Sequence, residues 1–490
     1  MARAGVKDED CEGHGGLFMV VAVAVFSSLA GLLMGLDIGY IAGVKSMASF
    51  SKGVLGGQPL TDVEDSLVTM VFGIGAAFAA FPPIMDASVN CLGRKGAVIA
   101  GGAIFCIGSA LQAVACNLAV MVAGRVIAGF SVGLLSGNAP VYTSEISPPH
   151  LRGALVTGFQ FAITVGIMLA FLLALVLEDV MEPFGGWRWV IAAQIVPGAL
   201  LVVGGAFMPG SPRYLVAQGK NLEALKTLRA LRKEDVREEL AQIVQEHEAE
   251  SAAGQATWGE FLSGDSRKLL CIGLSIQLLQ QLCGMNAFMY DGPMIFEKLF
   301  KSEHAGRLFT VVSGVVNIFA TVPGLFLVDR CGRTVLMKWS AVGMMFCSAV
   351  LATLGDVCFV EEDACGYWAK WVATLAICGF IVNFAYGWGG MAWVYCAEMF
   401  PMRHRTKGVG ATTDANWIGN IVIAFLPPIL FSNWGFNTFW VFVGTNLLCL
   451  LCAVSLPETK DKSLEEITQM FQDWLHPDED RRKEPEEVKV

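Results

Sequence analysis

Charge is what this sequence is short of. Asp, Glu, Lys and Arg supply 16% of its 490 residues, against roughly 25% in an ordinary soluble domain. Hydrophobic residues make up 54%, and the mean hydropathy is +0.56. A soluble chain this apolar could not cover its surface. Histidine is scarce as well: there are six, scattered, with no H-E-x-x-H pair and no P-loop, so zinc-peptidase and phosphate-cradling chemistry lack their ligands. We expect no enzyme, no metal and no cofactor. No N-x-S/T acceptor occurs in the chain. The formal net charge of -10 is spread along the chain, with residues 1–16 and the tail after Pro477 carrying -2 each. It says little about partners, and none is expected among nucleic acids. Cysteine is plentiful at fourteen, but most copies lie inside apolar runs and no pair has zinc-site spacing, so they read as small hydrophobes. Cys358 and Cys365 differ, because they fall in an outer loop where an oxidising exterior permits a bridge. Two free thiols are the alternative.

What is present instead is a series of apolar runs of the length that spans a bilayer, about 20 residues each. Twelve occur, at about 17–44, 64–86, 95–115, 118–142, 153–178, 187–208, 268–299, 306–328, 334–356, 369–397, 406–431 and 434–456. Basic residues set the orientation. Arg94, Lys95, Arg152, Arg213, Arg330, Arg333, Arg403, Arg405 and Lys407 fall in the central loop or in connections from an even-numbered run to the next odd one. Both termini are therefore expected to be cytosolic. The first run is too long for a signal-peptide core and follows acidic residues, so it reads as an uncleaved helix.

The chain repeats itself. Tyr142, Glu145, Pro148 and Arg152 stand at the spacing Y-x-x-E-x-x-P-x-x-x-R, and Tyr395, Glu398, Pro401 and Arg405 repeat it without a gap. Gly93-Arg94 and Gly332-Arg333 precede the two copies, and Pro209 and Pro457 open P-G-S-P and P-E-T-K after them. Self-similarity of this kind in an apolar chain is the mark of a transporter built from two related bundles. Between Arg213 and Lys268, Leu222, Leu225, Leu228 and Leu231 recur among charged residues, which predicts an amphipathic, non-spanning stretch.

Taken together, D-R-x-G-R at Asp329 to Arg333, the doubled Y-x-x-E motif, P-x-S-P-R at Pro209 to Arg213 and P-E-T-K at Pro457 to Lys460 resemble the sugar porter family of the major facilitator superfamily. The match runs from about Leu17 to Ile467. The resemblance implies an all-α membrane protein, twelve transmembrane helices in two six-helix bundles with intracellular helices between them. The divisions expected are a cytosolic tail 1–16, a bundle 17–208, a linker 209–267, a second bundle 268–456 and a cytosolic tail 457–490. It also implies an inner gate made by Arg94, Glu145 and Arg152 in one half and Arg333, Glu398 and Arg405 in the other. Asn90 and Cys91 stand where the family has Asp and Arg, and Gly210 where it has Glu, so the gate is expected to be lopsided. Tyr290 keeps the first position of the family's outer-gate Tyr pair, and Asp291 replaces the second.

Asp37 is an ionisable group inside the first run, and such a residue marks a functional site if it has a partner. Arg125 is the candidate: at 1.5 Å per residue the two lie at one depth, roughly 10 Å below the outer boundary. A carboxylate that pairs and separates in a cavity can carry a proton; a permanent lock between helices is the alternative. For the cargo, hydroxyls on an apolar ring call for neutral amides and aromatic platforms. The seventh run supplies Gln277, Gln280, Gln281 and Asn286, resembling the family's Q-Q-x-x-G-x-N, with Gly284 placed to let the helix break. Asn317, Asn416 and Gln160 lie at similar depth in other runs, and Trp388 and Trp393 match the family's aromatic pair.

The expectation is a proton-coupled monosaccharide transporter working by alternating access, with a hexose as cargo, Asp37 as proton carrier and Arg125 as its partner. Its partners would be the sugar, the proton and the lipid of the plasma membrane. A facilitative sugar uniporter and a non-transporting sugar sensor are the alternatives. The sequence does not choose among sugars and gives no oligomeric state.

Overall fold

A computed structural model of the chain describes residues 16–58, 61–181, 185–232, 236–252, 257–358 and 366–476. Every regular element among them is a helix. This is the economical answer to a bilayer, where each backbone N–H and C=O must be satisfied within the segment. The N-terminal bundle consists of α1 (Gly16–Ser46), the short surface helix α2 (Ala48–Val54), α3 (Asp62–Ala80), α4 (Pro82–Ala113), α5 (Leu118–Ile146) and α6 (Pro149–Met181). Its sixth span is α7 (Gly186–Ala193) followed by α8 (Ile195–Phe207). Four short helices then form the linker: α9 (Pro212–Ala217), α10 (Asn221–Leu231), α11 (Arg237–Ala252) and α12 (Trp258–Phe261).

The C-terminal bundle repeats the count with two broken spans. One is α13 (Gly264–Leu282) with α14 (Met285–Phe300), and the other is α17 (Tyr367–Tyr386) with α18 (Trp388–Met399). Between and after them stand α15 (Glu303–Cys331), α16 (Arg333–Cys358), α19 (Met402–Trp434) and α20 (Phe439–Ser455), and α21 (Leu464–Leu475) follows. Ten stretches among the described residues are long and apolar enough to cross a membrane. One of them, Arg403–Ser455, contains both α19 and α20, and α3 completes the twelve.

Packing within a half depends on small residues. Gly31, Gly35 and Gly39 on α1 abut the backbone carbonyls of Phe159, Ile163 and Ile167 on α6, so these helices approach more closely than any side chain would permit. The halves meet through α3 and α4 against α19 and through α6 against α15. Outward faces carry Phe78, Phe207, Phe319 and Phe346, all exposed, as expected of a surface whose solvent is lipid.

The break at Gly284 has a local cause. Its φ of +102° lies in the left-handed region, which costs an L-residue but not glycine, and a Cβ there would stand 2.6 Å from the Phe442 ring. The chain thus ends α13 and restarts as α14 beside the central cavity. Gly93 and Gly332 are the duplicated glycines of the inner loops, and both also have positive φ, +70° and +97°.

The linker leucines divide. Leu228 and Leu231 are buried, but Leu222 is 71% exposed. A spacing of three residues drifts about 60° around a helix at each step, so the four leucines cannot share a face. The buried stripe of α10 is Ala224, Leu228 and Leu231, and Val216, Val236 and Ile243 close over part of it. Cys358 is buried at the end of α16 and disulfide-bonded, while Cys365 lies outside the described residues.

Candidate functional site

At the centre of the bundle a small cavity of about 20 Å³ is lined from both halves: Met34, Ile38, Gln160, Ile163 and Ile167 from one, and Gln280, Gln281, Met285, Asn286, Met289, Asn317, Phe384 and Trp393 from the other. The amides are linked. Gln281 donates to Asn416 Oδ1 at 2.8 Å and accepts from Asn286 Nδ2 at 2.5 Å and Asn420 Nδ2 at 3.4 Å. Asn416 Nδ2 donates in turn to Gln277 Oε1 at 2.7 Å and Gln280 Oε1 at 2.9 Å. Gln277 and Asn416 therefore stand behind the wall and fix the rotamers of the amides that form it. Two polar atoms of the wall, Asn317 Oδ1 and Trp393 Nε1, are buried without a hydrogen-bond partner, a cost of about 1–3 kcal/mol each unless a ligand meets them.

The aromatic pair divides. Trp393 lines the cavity and packs edge-on against Phe159 at 5.6 Å. Trp388 turns away: its indole N–H donates to Met337 O at 3.0 Å, and its backbone N–H to Ser340 Oγ at 3.3 Å.

Beside the cavity lies the charged pair. Asp37 is 1% exposed and Arg125 2%, with Nη1 of Arg125 3.4 Å from Oδ1 of Asp37. The guanidinium also donates to Tyr40 Oη at 2.5 Å and to the Thr69 carbonyl at 3.4 Å, and it lies over the Tyr40 and Phe72 rings. The Tyr40 hydroxyl donates onward to Gln112 Oε1. Asp37 Oδ2 is left buried with no partner. Ile38, the next residue, faces the cavity, so charge and amides share one neighbourhood.

Outward of the cavity is a vestibule of about 610 Å³ whose walls include Tyr290 and Asp291 on α14, Lys45 on α1 and Asp65 on α3. Tyr290 separates the two spaces, its hydroxyl bound to Asn420, which donates to it at 3.0 Å. At the opposite end, where the duplicated motifs lie, the halves are closed. Arg94 meets Glu145 at 3.4 Å, and Arg333 meets Glu398 at 3.1 Å and Asp329 at 3.2 Å. These ion pairs stay within their own halves. Contacts among the described residues that cross between halves here include Ala154 N–H to Asp329 at 2.9 Å, Arg94 Nη2 to Thr406 Oγ1 at 3.1 Å, and Lys407 to Asp86 at 4.0 Å. Asn90 matches Asp329 in the repeat but is exposed, so the first half lacks the contact Asp329 makes. Arg152 and Arg405 are both buried beside this layer, Arg152 on a cavity of about 150 Å³ shared with Arg213 and Arg232.

One hydrogen bond of the duplicated motif repeats in both halves: Tyr142 Oη donates to Pro209 O at 2.6 Å, and Tyr395 Oη to Pro457 O at 2.8 Å. Glu458 of the second segment accepts from the backbone N–H groups of Arg333 and Thr334, each at 2.9 Å. At the membrane edge Glu260 accepts from Thr257 N–H and meets Arg403 at 3.0 Å. The Thr257 bond holds its carboxyl below the usual range.

Sequence reasoning missed Tyr40, Asn420, Asp329 and Glu458. Tyr40 follows Asp37 by three residues and Asn420 follows Asn416 by four, spacings that share a helix face and could have found both. Gly129 to Gly133 spells G-x-S-x-G, but it lies inside α5 with Ser131 donating to Gly101 O at 2.6 Å. It is no strand-to-helix elbow and cannot expose a nucleophile.

The family described as Sugar (and other) transporter matches residues 23–471. The galactose-proton symporter of Escherichia coli strain K12 is 32% identical over 94% of this chain and 96% of its own length. Among solved structures, the proton:xylose symporter XylE bound to 6-bromo-6-deoxy-D-glucose is 26% identical and covers 93% of this chain and 99% of its own, at a TM-score of 0.81. XylE from E. coli in its inward open conformation, 25% identical over 91% of this chain and 99% of its own, aligns less well, at 0.68.

Proposed function

This chain belongs to the sugar transporter family, and on that footing we propose that it is a proton-coupled monosaccharide transporter, with a hexose as cargo, working by alternating access. The reading rests above all on one observation: a buried carboxylate, Asp37, loosely paired with Arg125, one residue from a cavity walled by amides of both halves. Relatives that by name move galactose or xylose with protons support it.

Gln160, Gln280, Gln281, Asn286 and Asn317 hold the sugar hydroxyls in this account, Trp393 offers a ring face, and Gln277 and Asn416 brace the amides. Trp388 acts through α16, as support for the α17–α18 break, rather than by touching sugar. A proton arriving from the vestibule neutralises Asp37 and frees Arg125 to rest on Tyr40 and Thr69 alone. Tyr290 lies within electrostatic range of both charges, and through Asn420 it reaches Gln281. Protonation and sugar binding thus bear on one outer-gate residue. Closing that gate favours opening of the inner one, where the contacts of Asp329, Arg94 and Lys407 across the halves must part.

A proton crossing 100 mV releases roughly 2.3 kcal/mol, and each pH unit adds about 1.4 kcal/mol. Modest gradients therefore suffice to concentrate sugar several hundred-fold. The proposal keeps the divisions 17–208, 209–267 and 268–456, with both termini cytosolic and the protein in the plasma membrane. The test is sugar-induced alkalinisation outside vesicles. A wild-type signal no greater than that of Asp37→Asn would leave passive uniport, and sugar binding without uptake in a transport-null host would leave a sensor.

A further inference from the structure

The vestibule contains a carboxylate that the transport cycle above does not use. Asp291 is 9% exposed on α14, and no ion pair within 4 Å reaches it among the described residues. The charges it faces are Lys45 and Asp65 from the opposite wall and Lys298 on its own helix; Glu297 lines the same space. While the vestibule is open, water reaches this wall.

Alternating access requires that space to close, and closing it brings α14 toward α1 and α3. Water then leaves Asp291. An unpaired carboxylate in a dry gap at membrane depth is strongly disfavoured, so closing the outer gate favours a cation there. Lys45 is placed to supply it. Its ammonium sits 2.9 Å from Asp65 and 3.1 Å from Thr69 Oγ1, on a flexible four-carbon stem that can turn. Asp65 can release it at small cost, because its side chain is 31% exposed and stays hydrated. Lys298, the other cation, lies on the same helix as Asp291 and so adds nothing that joins the halves.

We propose that Lys45 is a mobile latch of the outer gate: it holds Asp65 while the vestibule is open and crosses to Asp291 as the vestibule closes. Asp291 is the strike of that latch, a positioning residue rather than a sugar ligand. The exchange converts a contact within the N-terminal half into one between halves, complementing the inner gate, where cross-half contacts exist in the present form.

The test is a rescue experiment read by labelling. Ser66 is buried in the vestibule wall, so Ser66→Cys reports water access when intact cells are treated with a membrane-impermeant maleimide. The same chains with Ser66 retained give the background from native cysteines. Lys45→Gln leaves Asp291 unpaired on closure, so the labelling rate is expected to rise roughly fivefold or more, the lower range of coupling between sites. Adding Asp291→Asn removes the buried charge and should return the rate toward the parent's. Adding Asp65→Asn instead should not. Should Lys45→Gln misfold, the exchange Lys45→Asp with Asp291→Lys, made with Asp65→Asn to avoid two facing carboxylates, restores the pair in reverse and should label no faster than the parent. Rescue by Asp65→Asn, rescue by neither, or a parent-like rate in Lys45→Gln alone would each overturn the latch. Labelling needs neither sugar nor proton gradient, so its failure leaves the symport reading intact.

Discussion

The carboxylate of Asp329, at the inner end of α15, accepts a 2.9 Å hydrogen bond from the backbone N–H of Ala154 on α6. It joins the two halves where the duplicated motifs lie, and Arg333 braces it at 3.2 Å. A bond to a charged acceptor is worth about 1.5–3 kcal/mol, enough to bias which side of the molecule is closed.

Asp329→Ala should therefore shift the population toward the inward-facing form by roughly tenfold or more, since 1.4 kcal/mol is one decade. The measurement is alkylation of Ser144→Cys in inside-out vesicles, because Ser144 lines the cavity beside Arg152 and is buried. An unchanged rate would mean the bond does not hold the inner gate.

Asp37→Asn should abolish accumulation and the accompanying alkalinisation while sparing counterflow of sugar down its own gradient. Neutralising the side chain mimics permanent protonation, so the cargo site still forms but no proton is released. On the proposed symport, accumulation by wild type should rise as the external pH falls. A variant that still accumulates sugar would exclude Asp37 as the carrier.

The two tryptophans should separate in mutagenesis. Trp393→Phe removes the unpartnered indole N–H at the cavity and is expected to weaken sugar affinity by roughly 1–3 kcal/mol, the range for a buried hydrogen bond to ligand. Trp388→Phe removes the bond to Met337 O and should lower the melting temperature while leaving affinity within about twofold, a change under 0.5 kcal/mol. Equal effects on affinity would return Trp388 to the binding wall.

Gly284→Ala forces a Cβ into the left-handed region and against Phe442. Strain of about 1–3 kcal/mol together with the clash should cost stability measured by thermal unfolding in detergent. Phe442→Ala as a second change should recover the clash but not the strain, so partial recovery is the expected result. A Gly284→Ala protein as stable as the parent would remove the argument for the break.

Much of the molecule was legible in the sequence because a bilayer leaves few choices. Backbone groups must pair internally, so apolar runs become helices, and the twelve runs read from composition lie on the helices observed. An ionisable residue in lipid needs a partner at its own depth, which brought Asp37 and Arg125 together on arithmetic alone, and the doubled Y-x-x-E motif revealed two related halves. What the chain did not disclose is rotation about each helix and the docking of one half on the other. Trp388 and Trp393 stand five residues apart, about 140° around a helix, so only one could face the cavity, and packing against α16 decided which. Leu222 left the buried face for the same reason. The partners of Asp329, the placing of Lys45 and Asp291 on one vestibule and the amide chain through Asn420 depend on residues far apart in sequence meeting in space. That is a property of tertiary packing, which side-chain pattern along one helix does not encode.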